Sequence, residues 1–241
     1  MTRGEMLYQG KAKSVFRTDD DDTLIVEFRD DITAFDGQKK DVLPGKGVCN
    51  AAVSAHFFEL LAKKRVRTHY LRMLDPRTML VRRLEMIPLE VIVRNIAAGS
   101  MVKRFPIADG SPLSPPVIVL DYKDDARHDP MLNDDIALAL RIVTKDELAI
   151  VKRMALRINR ILSNYLAERG ILLVDFKLEF GRYNAAIVLG DEISMDSMRL
   201  WDAASRLSLD KDVYRFDKGD VMSAYAAVAR RISPTLTGGT S

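Results

Sequence analysis

The sequence predicts an α+β protein, on the basis of two strand-like stretches and one long helical stripe. Residues 6–28 contain short β-like runs separated by turns, which is typical of an antiparallel meander. Residues 174–180 alternate between apolar and polar side chains, the period of a strand, and residues 185–189 return after a polar turn like the second arm of a hairpin. Apolar positions in residues 148–166 recur at helical spacing. Sheet and helix are therefore both expected.

The remaining elements follow in chain order. The pattern predicts a helix at 48–62, a strand at 79–84, a linker at 84–88, a strand at 89–94, a connection at 107–116, a polar loop at 121–135 and a final helix at 221–232. Ser100 is expected to cap a short helix, and Thr144 with Glu147 to form a capping box. Glu90 and Arg94 lie on the same face of the predicted strand, so their side chains are expected to pair with each other.

Composition indicates an ordinary folded chain. Its 241 residues can bury a substantial core. Its composition, with 47% hydrophobic and 29% charged residues, lacks the polar bias of a disordered protein. The net charge is only +3, and the densest basic run, Lys63, Lys64 and Arg65, ends a predicted helix, where cations complement the helix dipole. Nucleic acid is therefore not an expected partner.

Several other classes are not expected either. Cys49 is the single cysteine, so it cannot form an intramolecular disulfide, and His56, His69 and His128 do not have metal-ligand spacing. The N-terminal residues lack the apolar segment of a signal peptide, and no apolar run has the length of a membrane span. These features predict a cytoplasmic protein that does not enter a membrane.

The hairpin at residues 172–201 concentrates charge. Asp175, Lys177 and Glu179 lie on one parity of its first strand, and Asp191 follows its second strand. Carboxylates beside a lysine suit Mg2+ and phosphate oxygens, since Mg2+ takes one or two carboxylates and completes its shell with water and phosphate. The alternative interpretation is a solvated outer face without chemistry.

Two motifs carry a resemblance to a known family. VDFKLEFG at 174–181, followed by GDEIS at 190–194 and DSMRLWD at 196–202, resembles one signature of the SAICAR synthetase family (phosphoribosylaminoimidazole-succinocarboxamide synthase). IPLEVIVRNIAAGS at 87–100 resembles the second signature. The likeness extends from Leu7 to about Arg231, nearly the whole chain.

The resemblance implies an ATP-dependent ligase of de novo purine biosynthesis. Such an enzyme joins L-aspartate to 5-amino-1-(5-phosphoribosyl)imidazole-4-carboxylate and releases the succinocarboxamide, ADP and phosphate. It implies a small N-terminal antiparallel-sheet lobe at 1–85 that covers the nucleotide, a larger ATP-grasp-like α+β catalytic lobe at 86–234, and ATP in the cleft between them. Residues 235–241, at the end of the chain, are expected to be a disordered tail. ATP and Mg2+ are the implied cofactors, and a homo-oligomer, as a dimer, is the implied assembly.

Residue roles also come from the resemblance. It implies catalytic roles for Lys177, Asp175, Asp129 and Lys211; ATP contacts at Lys11, Ala12, Lys13, Arg82 and Met86; substrate contacts at Asp36, Arg94, Ser100 and Arg199; and metal ligation by Glu179 and Asp191. The chain departs from the family at Met195, where proline is usual, so the turn that leads to Arg199 is expected to be less rigid.

Two rival functions fit the same residues. One is another ATP-dependent carboxylate-amine ligase or a small-molecule kinase, and the other is a nucleotide-binding regulator without turnover. Release of ADP separates them, because the ligase needs both co-substrates, a kinase needs only its acceptor, and a regulator releases none.

Overall fold

The computed structural model describes residues 2–35 and 37–233, and the chain divides into two compact units. The first contains the described residues of 1–84, 193–196 and 208–241, and the second contains residues 85–192 and 197–207. The division predicted from the sequence differs for residues 208–234, which it assigns to the second lobe. The predicted disordered tail and Asp36 lie outside the described residues.

Antiparallel strands form most of the first unit. Its five-stranded sheet has the order β1-β2-β3-β7-β6, with β1 (Met6–Gln9), β2 (Lys13–Arg17), β3 (Thr23–Phe28), β6 (Tyr70–Asp75) and β7 (Thr78–Arg82); β4 (Asp31–Ala34) and β5 (Lys39–Val42) form a separate hairpin. Phe16, Ile25 and Leu80 from three neighbouring strands pack in one buried cluster. The predicted meander is confirmed.

Three helices complete this unit: α1 (Lys46–Lys63), α5 (Asp212–Arg215) and α6 (Val221–Ile232). Helix α1 packs against α6 and against the sheet, with Phe57, Phe58 and Leu61 fully buried. The side chain of Asp220 caps α6 by accepting a hydrogen bond from the backbone N–H of Met222 (3.0 Å). The predicted first and last helices are therefore confirmed.

The second unit is built on one antiparallel sheet in the order β10-β9-β8-β11-β12, with β13 also beside β11. Its strands are β8 (Glu85–Ile96), β9 (Pro112–Tyr122), β10 (Met131–Leu132), β11 (Ile171–Tyr183), β12 (Ala186–Leu189) and β13 (Met198–Asp202), and its helices are α2 (Ser100–Arg104), α3 (Asp134–Ala139) and α4 (Lys145–Ala167). Phe180 pairs with Leu189, so the predicted hairpin is confirmed.

Helix α4 covers the apolar face of this sheet, packing against β8, β11 and β12. Its apolar stripe is buried, and both capping-box bonds form: Glu147 N–H donates to Thr144 Oγ1 (3.2 Å) and Thr144 N–H donates to Glu147 Oε2 (2.8 Å). Asn159 exchanges hydrogen bonds with Asn95 of β8 (2.8 Å). The helix therefore holds the strand that carries Arg94.

Two predicted connections are wrong. Residues 84–88 were expected to be a linker, but β8 begins at Glu85 because Glu85 and Met86 still pair with the end of β11. Likewise β9 begins at Pro112, inside the predicted 107–116 connection. Pairing with a distant strand extends these elements beyond their locally alternating residues. Within residues 2–35 and 37–233, no helix is long and apolar enough to span a membrane.

Candidate active site

Antiparallel pairing sets three rows of side chains next to one another in the second unit. From β11 through β8 to β9, the rows are Asp175, Lys177 and Glu179; Arg94, Ile92 and Glu90; and Val117, Val119 and Asp121. Directly paired residues lie on the same face of a sheet. The alternate residues of β11, including Phe176 and Leu178, are buried on the opposite face. Register thus gathers four of the predicted site residues, Asp175, Lys177, Glu179 and Arg94, on one polar face.

The first cluster on this face is a set of alternating charges. Lys177 Nζ donates to Glu90 Oε1 (2.6 Å) and to Glu179 Oε1 (2.9 Å), and Lys123 Nζ contacts Glu179 Oε2. The Glu179 side chain is only 2% exposed, so these contacts lie in a poorly hydrated setting. In such a setting, charge pairs interact more strongly than in water.

Lys177 is held as a cation. Burial lowers the pKa of Lys177, but the carboxylates of Glu179, Glu90 and Asp191 outweigh burial and raise that pKa well above its usual value. Glu90 shows the opposite balance: burial raises its pKa, and Lys177 only partly offsets the rise. Lys177 can therefore neutralise negative charge, and it does not act as a base at neutral pH.

The two predicted metal ligands come from neighbouring chain segments. The backbone N–H of Gly190 donates to Glu179 C=O (2.9 Å), which fixes the following residue, Asp191, near the end of the charged row. Within the part of the chain that the structure describes, no three His, Cys, Asp or Glu residues are arranged around one metal position. Carboxylate oxygens are nevertheless the donor type that Mg2+ selects, and two suffice when phosphate and water complete the shell. The donor set therefore fits Mg2+.

The second cluster joins both signature motifs. Asp175 Oδ2 accepts from Arg94 Nη1 (2.8 Å) and from Arg199 Nη1 (2.6 Å), and Arg94 Nη2 donates to Ser100 Oγ (3.0 Å). Gly99 has φ +58°, a conformation that favours glycine, and a Cβ there would lie 2.7 Å from Arg199 Nη2 and displace that guanidinium group. Two guanidinium groups around one carboxylate leave a net positive site, which suits a phosphate.

Two expectations for this cluster are wrong. Glu90 and Arg94 do not pair with each other: Glu90 pairs with Lys177, and Arg94 pairs with Asp175. Four residues along a strand span about 13 Å, whereas residues paired across strands are about 5 Å apart. The N-cap of α2 is Gly99, and the Ser100 hydroxyl accepts from Arg94.

The predicted ATP-binding residues fall in several elements. Lys11 and Ala12 form the turn after β1, and Lys13 begins β2, with Gly10 N–H donating to Lys13 C=O (2.8 Å). Arg82 ends β7 in the first unit. Met86 lies in β8 of the second unit and is 42% exposed, so its side chain is accessible.

The other predicted catalytic residues are also placed. Asp129 has φ +46°, and its Oδ1 accepts from the backbone N–H of Asp124 (2.9 Å), which fixes its loop in the second unit. Lys211 is the N-cap residue of α5 in the first unit. Arg199 lies within β13, so strand pairing fixes its position although Met195 replaces the usual proline.

Sequence reasoning missed two charged residues of the polar face. Lys123 follows the last residue of β9 and contacts Glu179. Asp121 lies opposite Glu90 in the backbone pairing of β9 with β8. Both fall within the predicted polar loop at 121–135. Their only signal is the register of β9 against β8, which local composition does not contain.

Comparison with known proteins identifies the family. Residues 6–232 match the family described as SAICAR synthetase. The chain belongs to the SAICAR synthetase family. The phosphoribosylaminoimidazole-succinocarboxamide synthase of Methanoregula boonei is 64% identical, over 97% of this chain and 91% of the relative. The enzyme of the same name from Methanoculleus marisnigri is 62% identical, over 96% of each chain.

Solved structures of the family share the fold. A SAICAR synthetase in complex with ADP is 50% identical, with a TM-score of 0.92 over 94% of this chain and 97% of that one. The phosphoribosylaminoimidazole-succinocarboxamide synthase of Ehrlichia chaffeensis is 41% identical, with a TM-score of 0.93 over 95% of this chain and 98% of that one. The predicted family and fold class are confirmed.

Proposed function

We propose that this protein is a carbon–nitrogen ligase of de novo purine biosynthesis. It joins L-aspartate to 5-amino-1-(5-phosphoribosyl)imidazole-4-carboxylate and uses ATP. The observation that carries the proposal is the cluster of Arg94 and Ser100 from one family signature with Asp175 and Arg199 from the other, within a chain that matches the family from residue 6 to residue 232.

The chemistry requires activation of a carboxylate. A carboxylate oxygen of the imidazole nucleotide attacks the γ-phosphorus of ATP, the bond to ADP breaks, and an acyl phosphate forms. The amine nitrogen of aspartate then attacks the acyl carbon, the carbon–oxygen bond to phosphate breaks, and the nitrogen loses a proton. All reactants are anions, so preorganised cations stabilise their approach and the transferring charge.

Arg94, Ser100 and Arg199 hold the phosphate of the imidazole nucleotide. Arg94 is buried and already oriented by Asp175 and Ser100, so little side-chain entropy is lost when it binds. Asp175 accepts from both guanidinium groups, and this geometry supports an orienting role. The roles of Asp129, Lys211 and Asp36 toward the imidazole or aspartate rest on the sequence alone.

Lys177 supplies a permanent positive charge to the phosphoryl group as it transfers. Its pKa lies well above the usual lysine value because three carboxylates face it. The contacts of Lys11, Ala12, Lys13, Arg82 and Met86 with ATP belong to the same proposal and rest on the sequence.

Glu179 and Asp191 are the residues that would hold Mg2+. When bound, the ion supplies charge neutralisation and Lewis-acid polarisation of phosphoryl oxygens. Lys123 and Lys177 now neutralise Glu179, so these lysines compete with a cation for its oxygens. A homodimer and a cytoplasmic location complete the proposal, and light scattering of the purified protein tests the dimer.

An assay of ADP release tests the function. The purified protein receives ATP, Mg2+ and both co-substrates, and parallel reactions omit one co-substrate each. The ligase should release ADP and the succinocarboxamide only in the complete mixture. Release with one acceptor alone indicates a kinase, and no release in any mixture indicates a regulator. Lys177→Met should abolish turnover, whereas Lys152→Met, which alters an exposed pair with Asp134, should retain it.

A further inference from the structure

A cavity of ≈ 180 Å3 lies on the polar face of the second unit, next to the proposed phosphate cluster. Arg94 and Ser100 line one part of it, so the cavity and the cluster share two residues. Apolar side chains, among them Phe105 and Val119, form part of the wall, and Arg104 and Asp121 add two opposite charges. The proposed phosphate role does not use Asp121 or the apolar wall.

Two polar atoms of the lining residues are buried without a hydrogen-bond partner among the described residues. They are Nε of Arg94, a donor, and Oδ1 of Asp121, an acceptor. Arg94 is only 6% exposed, and its two Nη atoms already bond to Asp175 and Ser100. Both atoms are shielded from solvent, while the two side chains bring opposite charges to the cavity wall.

The size and chemistry of the cavity restrict its occupant. A cavity of about 150 Å3 holds one six-membered ring, so this one has room for a single ring with small substituents. The Asp121 carboxylate repels anions, which excludes a phosphate or the side chain of aspartate from its end of the cavity. An occupant can accept from the guanidinium groups of Arg94 and Arg104 and donate to the Asp121 carboxylate. A hydroxyl group does both, and two neighbouring hydroxyls do so more easily.

The proposed phosphate position connects this cavity to the substrate. In a ribonucleotide the ribose is attached directly to the phosphate, and it is a single uncharged ring with two neighbouring hydroxyls. We infer that the cavity binds the ribose of the imidazole nucleotide, and that a ribose hydroxyl donates to the Asp121 carboxylate. Asp121 is then a specificity-determining residue that favours a ribonucleotide over a deoxyribonucleotide. This inference rests on the proposed function.

The electrostatic setting of Asp121 agrees with this role. Burial raises the pKa of Asp121, and Arg94 and Arg104 offset only part of the rise. The two guanidinium groups favour the charged form of this carboxyl group, and burial opposes it. A hydroxyl that donates to a carboxylate makes a stronger bond than one that donates to a neutral acceptor.

A thermodynamic cycle that combines changes in the substrate with changes at Asp121 tests the inference. The kcat/KM of wild type is measured with the ribonucleotide and with its 2′-deoxy and 3′-deoxy forms, and the same is done for Asp121→Leu and Asp121→Asn. Wild type should lose about 10- to 150-fold with at least one deoxy form, the range for a lost hydrogen bond to a charged group. Asp121→Leu should lose a similar factor with the ribonucleotide and show no further loss with that deoxy form. Asp121→Asn retains an acceptor oxygen and should keep part of the discrimination.

Asp135→Leu is the matched control, because it removes the same charge from an exposed position on α3 and should discriminate as wild type does. The inference is overturned if wild type uses both deoxy forms as well as the ribonucleotide, or if Asp121→Leu discriminates as strongly as wild type. Failure of the proposed function appears separately, as no turnover of the ribonucleotide by wild type. In that case calorimetric binding of the three nucleotides replaces kcat/KM, and equal affinities overturn the inference.

Discussion

Lys46 and Asp196 form an ion pair of 2.6 Å between Nζ and Oδ2 in the first unit, although their side chains are only 1% and 5% exposed. The hydroxyl of Tyr225 donates to the other oxygen of Asp196 (2.6 Å). Lys46 begins α1 and Tyr225 lies on α6, so Asp196 bonds to both helices. Each oxygen of this buried carboxylate therefore has a partner, and loss of either partner leaves an incompletely satisfied charge.

Lys46→Met should destabilise the protein strongly. Removing one member of a buried ion pair leaves the other charge buried without compensation, which costs about 3–5 kcal/mol. Urea unfolding followed by circular dichroism measures this loss. Lys152→Met is the control, since it breaks an exposed pair with Asp134 and should cost about 0–1 kcal/mol. Equal effects of the two substitutions would contradict the buried-pair interpretation.

The same pair predicts a dependence of stability on pH. Burial raises the pKa of Asp196, but Lys46 and Lys211 outweigh burial and lower it from 3.8 to about 2. The native state therefore binds the proton more weakly than the unfolded chain does. The stabilisation from Asp196, on the order of 2 kcal/mol, is fully present above about pH 5 and is lost as the pH falls through 4 toward 2.

Asp196→Asn provides the comparison for this pH prediction. The amide does not titrate, so its unfolding free energy should fall less than that of wild type between pH 5 and 2. Urea unfolding at several pH values gives both curves. Parallel curves would show that Asp196 does not contribute to the acid sensitivity.

Arg199→Ala should raise the KM for the imidazole nucleotide. It removes one of the two guanidinium groups that meet at Asp175 Oδ2, and a charge-assisted contact with phosphate is worth about 1.5–3 kcal/mol, or roughly 10- to 150-fold. Arg199→Lys keeps the charge without the planar fork and should have an intermediate effect. Steady-state kinetics with each substrate varied in turn measures the change.

Arg160→Ala is the control for this measurement, because Arg160 is an exposed arginine on α4. Its kinetic constants should equal those of wild type. If Arg199→Ala changes only the KM for ATP or aspartate, the assignment of this cluster to the nucleotide phosphate is wrong.

The sequence predicts the elements better than it predicts the contacts within the site. Local periodicity identifies the α4 stripe and the alternation of Asp175, Lys177 and Glu179, because one element determines each of these patterns. The partner of Lys177 lies 87 residues away, in Glu90, and the partner of Lys46 lies 150 residues away, in Asp196. These pairs depend on strand register and helix packing, which no local pattern encodes. The two motifs that resemble family signatures indicate Arg94, Ser100 and Arg199. Only the structure shows that Asp175 orients Arg94 and Arg199.

Asp191→Asn and Glu179→Gln test the proposed metal ligands, and the structure makes them unequal tests. Asp191 has φ +55°, a left-handed conformation that asparagine adopts readily, so Asp191→Asn should fold normally. Glu179 is buried between Lys123 and Lys177, so its neutral amide leaves two ammonium groups without their shared partner, and Glu179→Gln should also lose thermal stability.

Asp191→Asn is therefore the sharper experiment. A neutral amide ligand binds Mg2+ more weakly than a carboxylate does, so turnover should fall and its half-saturating Mg2+ concentration should rise by an order of magnitude or more. A magnesium titration of activity measures this, and Asp135→Asn, an exposed residue on α3, is the control with the same charge change. Because Asp191→Asn is expected to keep its melting temperature, a weaker response to Mg2+ would come from ligation and not from unfolding. Unchanged titration curves in both Asp191→Asn and Glu179→Gln would show that the carboxylates of this hairpin do not bind the metal.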